Sequence, residues 1–440
     1  MKFKKSITPL FRNINSVAFG IILLFNLINP ERSYAQDSLA RIADSTCVQK
    51  DVGDVIRAAR NMAPKTDDND GSLLLIPIIG SNPATGFMIG VGGQYAFKME
   101  GEKTLYSLLS GSFQLTTKNQ TLFMVKNSVF TKDNRFLFTG DWRFLIFSQE
   151  TYGLGTNSPN GGILDYQYNL GGVDTTIDSL AQPMNFNFIR FYQSASYRLN
   201  SGLYVGVGYY LDSYFKIEDQ KLRLGPTDSV LTSNYAYNMK YGFNPKEYYI
   251  SSLSLNLTRD TRDNMINPYK GYYANVSWRA APKFFGNKEN VSFLHFEWRS
   301  FHPLSKRNPR HLIAFWGMGD FTSAGAAPYL ILPATAYDQR GRSARGYTQG
   351  RFRGNNLVYG EAEYRFPISS CGGILGGVLF MNATTANNKE LSLKLFESVK
   401  PGYGVGLRVM VDKKTRTNLA IDFGMGDQSS GFYLAASETF

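Results

Sequence analysis

The feature that most limits what this chain can become is an alternation. From Ser72 to the end, stretches of about 9 to 14 residues carry apolar side chains at every second position, with turns between them. Leu253, Leu255 and Leu257 alternate with Ser252, Ser254, Asn256 and Thr258, and Leu203, Val205, Val207, Tyr209 and Leu211 stand against Gly206 and Gly208. Tyr272, Ala274, Val276, Trp278 and Ala280 alternate with Asn275, Ser277 and Arg279, and Tyr403 to Val411 with Gly404, Gly406 and Arg408. A period of two is the mark of a strand with two unlike faces. Strands of soluble sandwiches peak near 5–6 residues, whereas a lipid-spanning strand takes about 9–11. The inward parity carries Arg279 and Arg408, which a water-filled lumen accommodates and a dry sandwich core does not. The fold expected is therefore all-β: a transmembrane antiparallel β-barrel of the outer-membrane type.

Sixteen strands are expected, at 73–80, 85–98, 103–115, 120–130, 134–147, 185–199, 201–213, 248–260, 270–281, 289–302, 308–319, 356–368, 373–384, 401–412, 416–425 and 430–440. An even number returns both ends to the periplasm. The short connections at 99–102, 131–133, 200, 303–307, 369–372 and 413–415 then all fall on the periplasmic side. The long ones at 148–184, 214–247, 320–355 and 385–400 all fall outside, as in outer-membrane barrels.

Residues 1–35 have the plan of a signal peptide. Lys2, Lys4, Lys5 and Arg12 precede the apolar run Val17–Ile28, and Ser33-Tyr34-Ala35 places small residues for cleavage before Gln36. That run is shorter than the roughly 20 residues of a spanning helix. Residues 36–71 form a short polar periplasmic segment with one helix expected over Asp51–Met62. It has three positions open to it: across the periplasmic mouth, inside the lumen, or loose. The barrel domain is 72–440. Four of the formal +12 charges leave with the signal, so an exported chain of this balance gives no ground for a nucleic-acid partner. Cys47 and Cys371 are the only cysteines, and whether they pair is left open.

Three motifs resemble those of the Omp85 superfamily, which includes the BamA/TamA-like and surface-antigen barrels of the outer membrane. Arg259-Asp260-Thr261-Arg262-Asp263-Asn264, followed by Pro268 and Gly271, is similar to the family's periplasmic turn. Pro and Gly supply turn geometry there. Arg345-Gly346-Tyr347, with Ala344 before it, resembles the tip of the sixth extracellular loop. In the family that loop folds into the lumen, which implies that Arg345 meets Glu361 or Glu363 on the inward parity of the next strand. Where the family has Phe-x-Asp-x-Gly, this chain departs with Phe380-Met381-Asn382-Ala383-Thr384, so Asn382 can accept a hydrogen bond but carries no charge. The run Gly402-x-Gly404-x-Gly406-x-Arg408 resembles the family's late glycine-rich strand. Residues 36–71 leave no room for the POTRA domains that usually precede such barrels.

The resemblance implies a location in the outer membrane of a Gram-negative bacterium. It also implies a role in outer-membrane biogenesis, inserting or translocating protein or lipid. The alternative is a structural or accessory barrel anchoring a multi-subunit complex. Partners expected are outer-membrane lipids and lipopolysaccharide, the assembly machinery acting on a closing strand that ends in Phe440, and outer-membrane or periplasmic proteins. No nucleophile elbow or metal-ligand spacing accompanies His295, His302 and His311, so the chain is read as a non-enzyme with no catalytic residues, metal or cofactor.

Overall fold

The computed structural model describes residues 48–63, 71–82, 86–101, 104–157, 167–170, 173–176, 181–226, 229–369 and 372–440. The signal segment with its cleavage site, much of 36–71, Cys47 and Cys371 lie outside the described residues.

One antiparallel sheet of sixteen strands forms the molecule, each strand paired with the next in sequence. In chain order they are β1 (Gly71–Asn82), β2 (Gly86–Phe97), β3 (Ser107–Thr116), β4 (Thr121–Phe130), β5 (Phe136–Thr151), β6 (Gln182–Asn200), β7 (Leu203–Asp219) and β8 (Tyr248–Asp260). Then follow β9 (Gly271–Ala281), β10 (Val291–Pro303), β11 (Leu312–Ala324), β12 (Asn356–Pro367), β13 (Leu375–Ala386), β14 (Lys400–Asp412), β15 (Thr417–Gly426) and β16 (Ser429–Ala435). The count of sixteen matches the expectation, and the expected strand positions hold to within a few residues at most ends.

The alternation sorts the two faces physically. Leu253, Leu255, Val205, Val207, Trp278, Trp298, Tyr403 and Val405 are exposed on the outer wall, where hydrocarbon replaces water. The inward parity carries Ser254, Asn256, Arg279, Glu361, Glu363, Arg408 and Asp422, each largely buried in the lumen.

The ladder order leaves β1 and β16 at its ends, and among the described residues no pairing joins them. The sheet nevertheless curls round on itself. Gln94 on β2 donates to Thr417 on β15 at 3.3 Å, and the Ser72 hydroxyl on β1 donates to Asp412 at the end of β14.

Two expectations are corrected. The closing strand does not run to Phe440: β16 stops at Ala435, and Glu438, Thr439 and Phe440 turn inward and are buried. Glu438 meets Arg408 at 2.7 Å and Asn418 at 2.6 Å, so the ion-pairing partners inside draw the tail off the wall. The loop 214–247 also holds a helix, α2 (Ser233–Tyr241), where no helix was expected. Its residues lack a periodic apolar stripe; Thr232 caps its start, and Gly242, at φ +73°, ends it. Around α2 the outer loops pack Leu231, Ala236, Tyr237, Tyr329 and Leu330 into an apolar cap above the lumen.

Ahead of β1, the expected helix is α1 (Val52–Ala59), begun by a reciprocal cap between Asp51 and Asp54. It is tethered to two turns of the barrel, β12–β13 and β14–β15. Lys50 N–H donates to the Gly372 carbonyl at 2.9 Å, and Lys413 bridges to Asp54 at 2.8 Å. Burial pushes the Asp54 carboxyl up, but hydrogen bonds from Lys413, Arg57 and the Asp51 N–H outweigh it and hold the carboxyl down at about 2. A depressed acid stabilises the docked form above its ordinary value of 3.8 and loses that contribution as pH falls through its docked value. A spin label at Val55→Cys, in a chain whose two native cysteines are serine, should therefore stay slow from neutral pH to about 4 and loosen between about 4 and 2. With Lys413→Ala it should be loose throughout; equal mobility in both proteins would show that the bridge does not hold α1.

Candidate functional site

The connection between β11 and β12, residues 325–355, folds inward and crosses the lumen. Arg353 braces it, its Nη1 donating to the carbonyls of Leu330 and Leu332 at 2.8 and 3.1 Å. Asp338 accepts backbone N–H bonds from Arg340, Gly341, Arg342 and Ser343, which sets the turn ahead of Arg345. On one side Arg143 of β5 donates to the Asp338 carbonyl and Arg190 of β6 to the Tyr337 carbonyl, each at 2.9 Å. On the other, Arg342 reaches the Leu434 carbonyl on β16 at 3.1 Å. The connection thus spans the interior from β5 to β16.

At its tip the Arg345 side chain is fully enclosed. Its guanidinium donates to Glu361 at 2.5 Å, to Glu363, and to Asp422 at 2.8 Å, and lies 3.7 Å from the Phe380 ring centroid. Forked, planar donors suit arginine to several carboxylates at once. The network continues outward: Glu363 to Arg365 at 2.6 Å, Asp422 to Arg408 at 2.5 Å, and Arg408 to Glu438. The expected pair, Glu361 and Glu363, therefore lie beside Arg345 together. Asn382 lies there too, but it donates its amide to the Arg345 carbonyl at 3.0 Å and does not touch the guanidinium. The charge that sequence reasoning missed is Asp422. Its signal was an acid on the inward parity of β15, between Ala420 and Gly424.

The neighbouring residues make room. Gly346 holds φ +106° with its N–H on the Tyr433 hydroxyl at 2.9 Å, and the Tyr347 hydroxyl donates to the Pro401 carbonyl at 2.5 Å. Ala344 also sits at positive φ, +62°, which a β-branched side chain would adopt only at a cost. A Cβ on Gly402 would come within 2.8 Å of the Arg345 carbonyl oxygen, and one on Gly424 within 2.8 Å of the Gly346 nitrogen. The glycines of the late strands are thus the seat of the loop tip.

The turn after β8 is a second cluster, away from the first. Arg262 binds both Asp260 oxygens, at 2.9 and 2.7 Å. Asp263 accepts from the Tyr269 N–H at 2.9 Å and pairs with Arg416 at 2.7 Å, while Arg259 reaches Asn200 across the next turn. Pro268 precedes the strand and Gly271, at φ +92°, lies where a Cβ would meet the Thr261 carbonyl oxygen at 2.3 Å. His295 pairs with Asp320 at 2.7 Å, and among the described residues no group of side chains could hold a metal ion.

A family model described as the Omp85 superfamily domain matches residues 148–440. Among solved structures, BamA from Haemophilus ducreyi lacking POTRA domains 1–3 is 14% identical at a TM-score of 0.47, the match covering 83% of this chain and 69% of that one. CdiB from Acinetobacter baumannii is 11% identical at 0.47, covering 84% and 60%, and CdiB from Escherichia coli 10% identical at 0.48, covering 86% and 62%. The chain thus spans about three fifths of either CdiB chain's length. No curated protein matches the sequence. The family match covers two thirds of the chain, including the inward loop, its carboxylate partners and the late glycine strands: the chain belongs to the Omp85 superfamily and is an outer-membrane β-barrel of a Gram-negative bacterium.

Proposed function

We propose that this barrel inserts or translocates other proteins, or lipids, at the outer membrane, working through the junction of its first and last strands. The observation that carries the reading is the mismatch at that junction. β1 has 12 residues and β16 has 7, and no pairing between them is found among the described residues. Unpaired edge N–H and C=O groups are a template for an incoming strand. The apolar cap over the outer mouth and the inward loop favour a sideways route over free diffusion through the lumen. In this reading residues 1–35 are the cleaved signal, 36–71 a periplasmic segment and 72–440 the working domain. Arg345, Gly346 and Tyr347, with Glu361, Glu363 and Asn382, hold the loop, and the turn from Arg259 to Gly271 supports the periplasmic rim. Its partners are outer-membrane lipids and lipopolysaccharide, periplasmic or outer-membrane client proteins, and the assembly machinery that first inserts it through its C-terminal strand. It performs no catalysis of its own. The accessory-anchor reading has no structural observation favouring it.

The test is a set of cysteine pairs between Leu73–Pro77 and Phe432–Ala435, with native cysteines replaced. Cross-linking the junction should abolish the phenotype that the reduced protein rescues, with recovery on reduction. Full rescue by a quantitatively cross-linked barrel would refute the sideways route.

A further inference from the structure

Below the inward loop the lumen keeps a cavity of about 440 Å³, lined by β2 to β11, the loop and the C-terminal tail. Its walls carry as many acids as cations, but most of the acids are already paired with arginines. Asp141 binds Arg143 and Arg190, Asp212 binds Arg190 and Arg279, and Glu438 binds Arg408 and Arg365. Toward one end, three arginines and two carboxylates line it together. Arg262 is paired with Asp260 and Arg299 with Glu297, and both lie over the Tyr273 ring, at 4.9 and 4.0 Å from its centroid. The third, Arg340 on the loop, lines the same cavity, and its one side-chain hydrogen bond among the described residues is to the Thr439 carbonyl, at 3.4 Å.

The pairings do not use all the donors. Arg299 and Arg262 are more than nine-tenths buried, yet each keeps an Nη1 with no hydrogen-bond partner among the described residues. Glu297 is already shared between Arg299 and the Trp316 indole N–H, the latter at 2.9 Å. An arginine N–H buried without an acceptor costs free energy, and the local charge is one positive in excess.

We propose that Arg262, Arg299 and Arg340 form a binding site for a singly charged phosphate group, entered from the periplasmic side. Planar guanidiniums present paired donors that match phosphate oxygens, and one such group supplies the missing charge. The cavity is large enough for a phosphodiester headgroup but not for a folded segment of protein. The phosphate could come from a phospholipid headgroup or from a free phosphate compound.

The full-length protein, purified in a phosphate-free maltoside detergent, would be titrated calorimetrically in two arms: inorganic phosphate near pH 6, and short-chain phosphatidylglycerol. Saturable binding is expected in at least one arm, and the arm that binds identifies the source. Arg340→Gln should weaken it at least about tenfold, as expected for one charge-assisted hydrogen-bonding partner. This variant leaves every wall ion pair intact, and retained heat-modifiable migration on gels would confirm that it folds. Arg299→Gln should weaken binding similarly, and Arg60→Gln, on the periplasmic side and outside the lumen, should not. Absence of saturable binding in both arms, or binding unchanged in Arg340→Gln, would overturn the assignment.

Discussion

Replacing Arg345 with methionine is expected to release the inward loop and destabilise the folded barrel by about 3–5 kcal/mol, the range for removing one partner of a buried ionic cluster. The magnitude follows from what remains. Glu363 keeps Arg365 and Asp422 keeps Arg408, but Glu361 is left with only the Tyr359 hydroxyl, at 2.5 Å. A carboxylate enclosed on the inner wall without a cation is the costly species. Neutralising it with Glu361→Gln in the methionine background should therefore recover part of the loss, although Glu361→Gln alone destabilises. Lysine at 345 should fall between, since a single ammonium cannot reach Glu361, Glu363 and Asp422 as a fork does. Two readouts check this: the temperature at which the barrel unfolds on a detergent gel, and trypsin cleavage after Arg340 and Arg342. Unchanged cleavage in Arg345→Met would mean that Asp338, Arg143 and Arg190 hold the loop without the tip.

The barrel and the loop were not equally legible in the sequence. Alternation is a local signal, so Leu253 to Leu257 or Tyr403 to Val411 declare a strand and its two faces from their own spacing. Glu361 and Glu363 share a parity on one strand and were within reach of the same reasoning once Arg345 was placed inside. Asp422 was not, because it lies 77 residues from Arg345 in the chain and meets it only after β13 to β15 have closed around the tip. The α2 helix left no periodic trace because the cap buries it on several sides, including Ser233, Asn234 and Asn238. Only Thr232 and Gly242 marked it. The strand expected over 430–440 ends early because Phe432 and Leu434 face hydrocarbon and their parity would put Glu438 there too. A carboxylate facing hydrocarbon is expensive enough to show that the strand has already ended.

That inward tail carries the second large effect. Phe440 is 1% exposed, its ring 5.4 Å from Trp316 and 6.2 Å from Phe301, with the Arg365 guanidinium 5.2 Å away and donating to its carbonyl at 3.1 Å. Truncating so enclosed an aromatic costs about 3–5 kcal/mol. Phe440→Ala should therefore unfold at a clearly lower temperature after it has been inserted and purified. Glu438→Gln should act in the same direction, since Arg408 and Arg365 lose a shared anion. The comparison separates two roles for one residue. An assembly address is read before the barrel closes, so its loss lowers the amount inserted and leaves the stability of the inserted molecules untouched. A lumenal anchor acts afterwards, so its loss lowers the stability of every molecule that reaches the membrane. Phe440→Leu keeps apolar bulk but no ring to stack on Trp316, and should restore much of the stability. A purified Phe440→Ala barrel as heat-resistant as the parent would place Phe440 outside the lumen, whatever its effect on assembly.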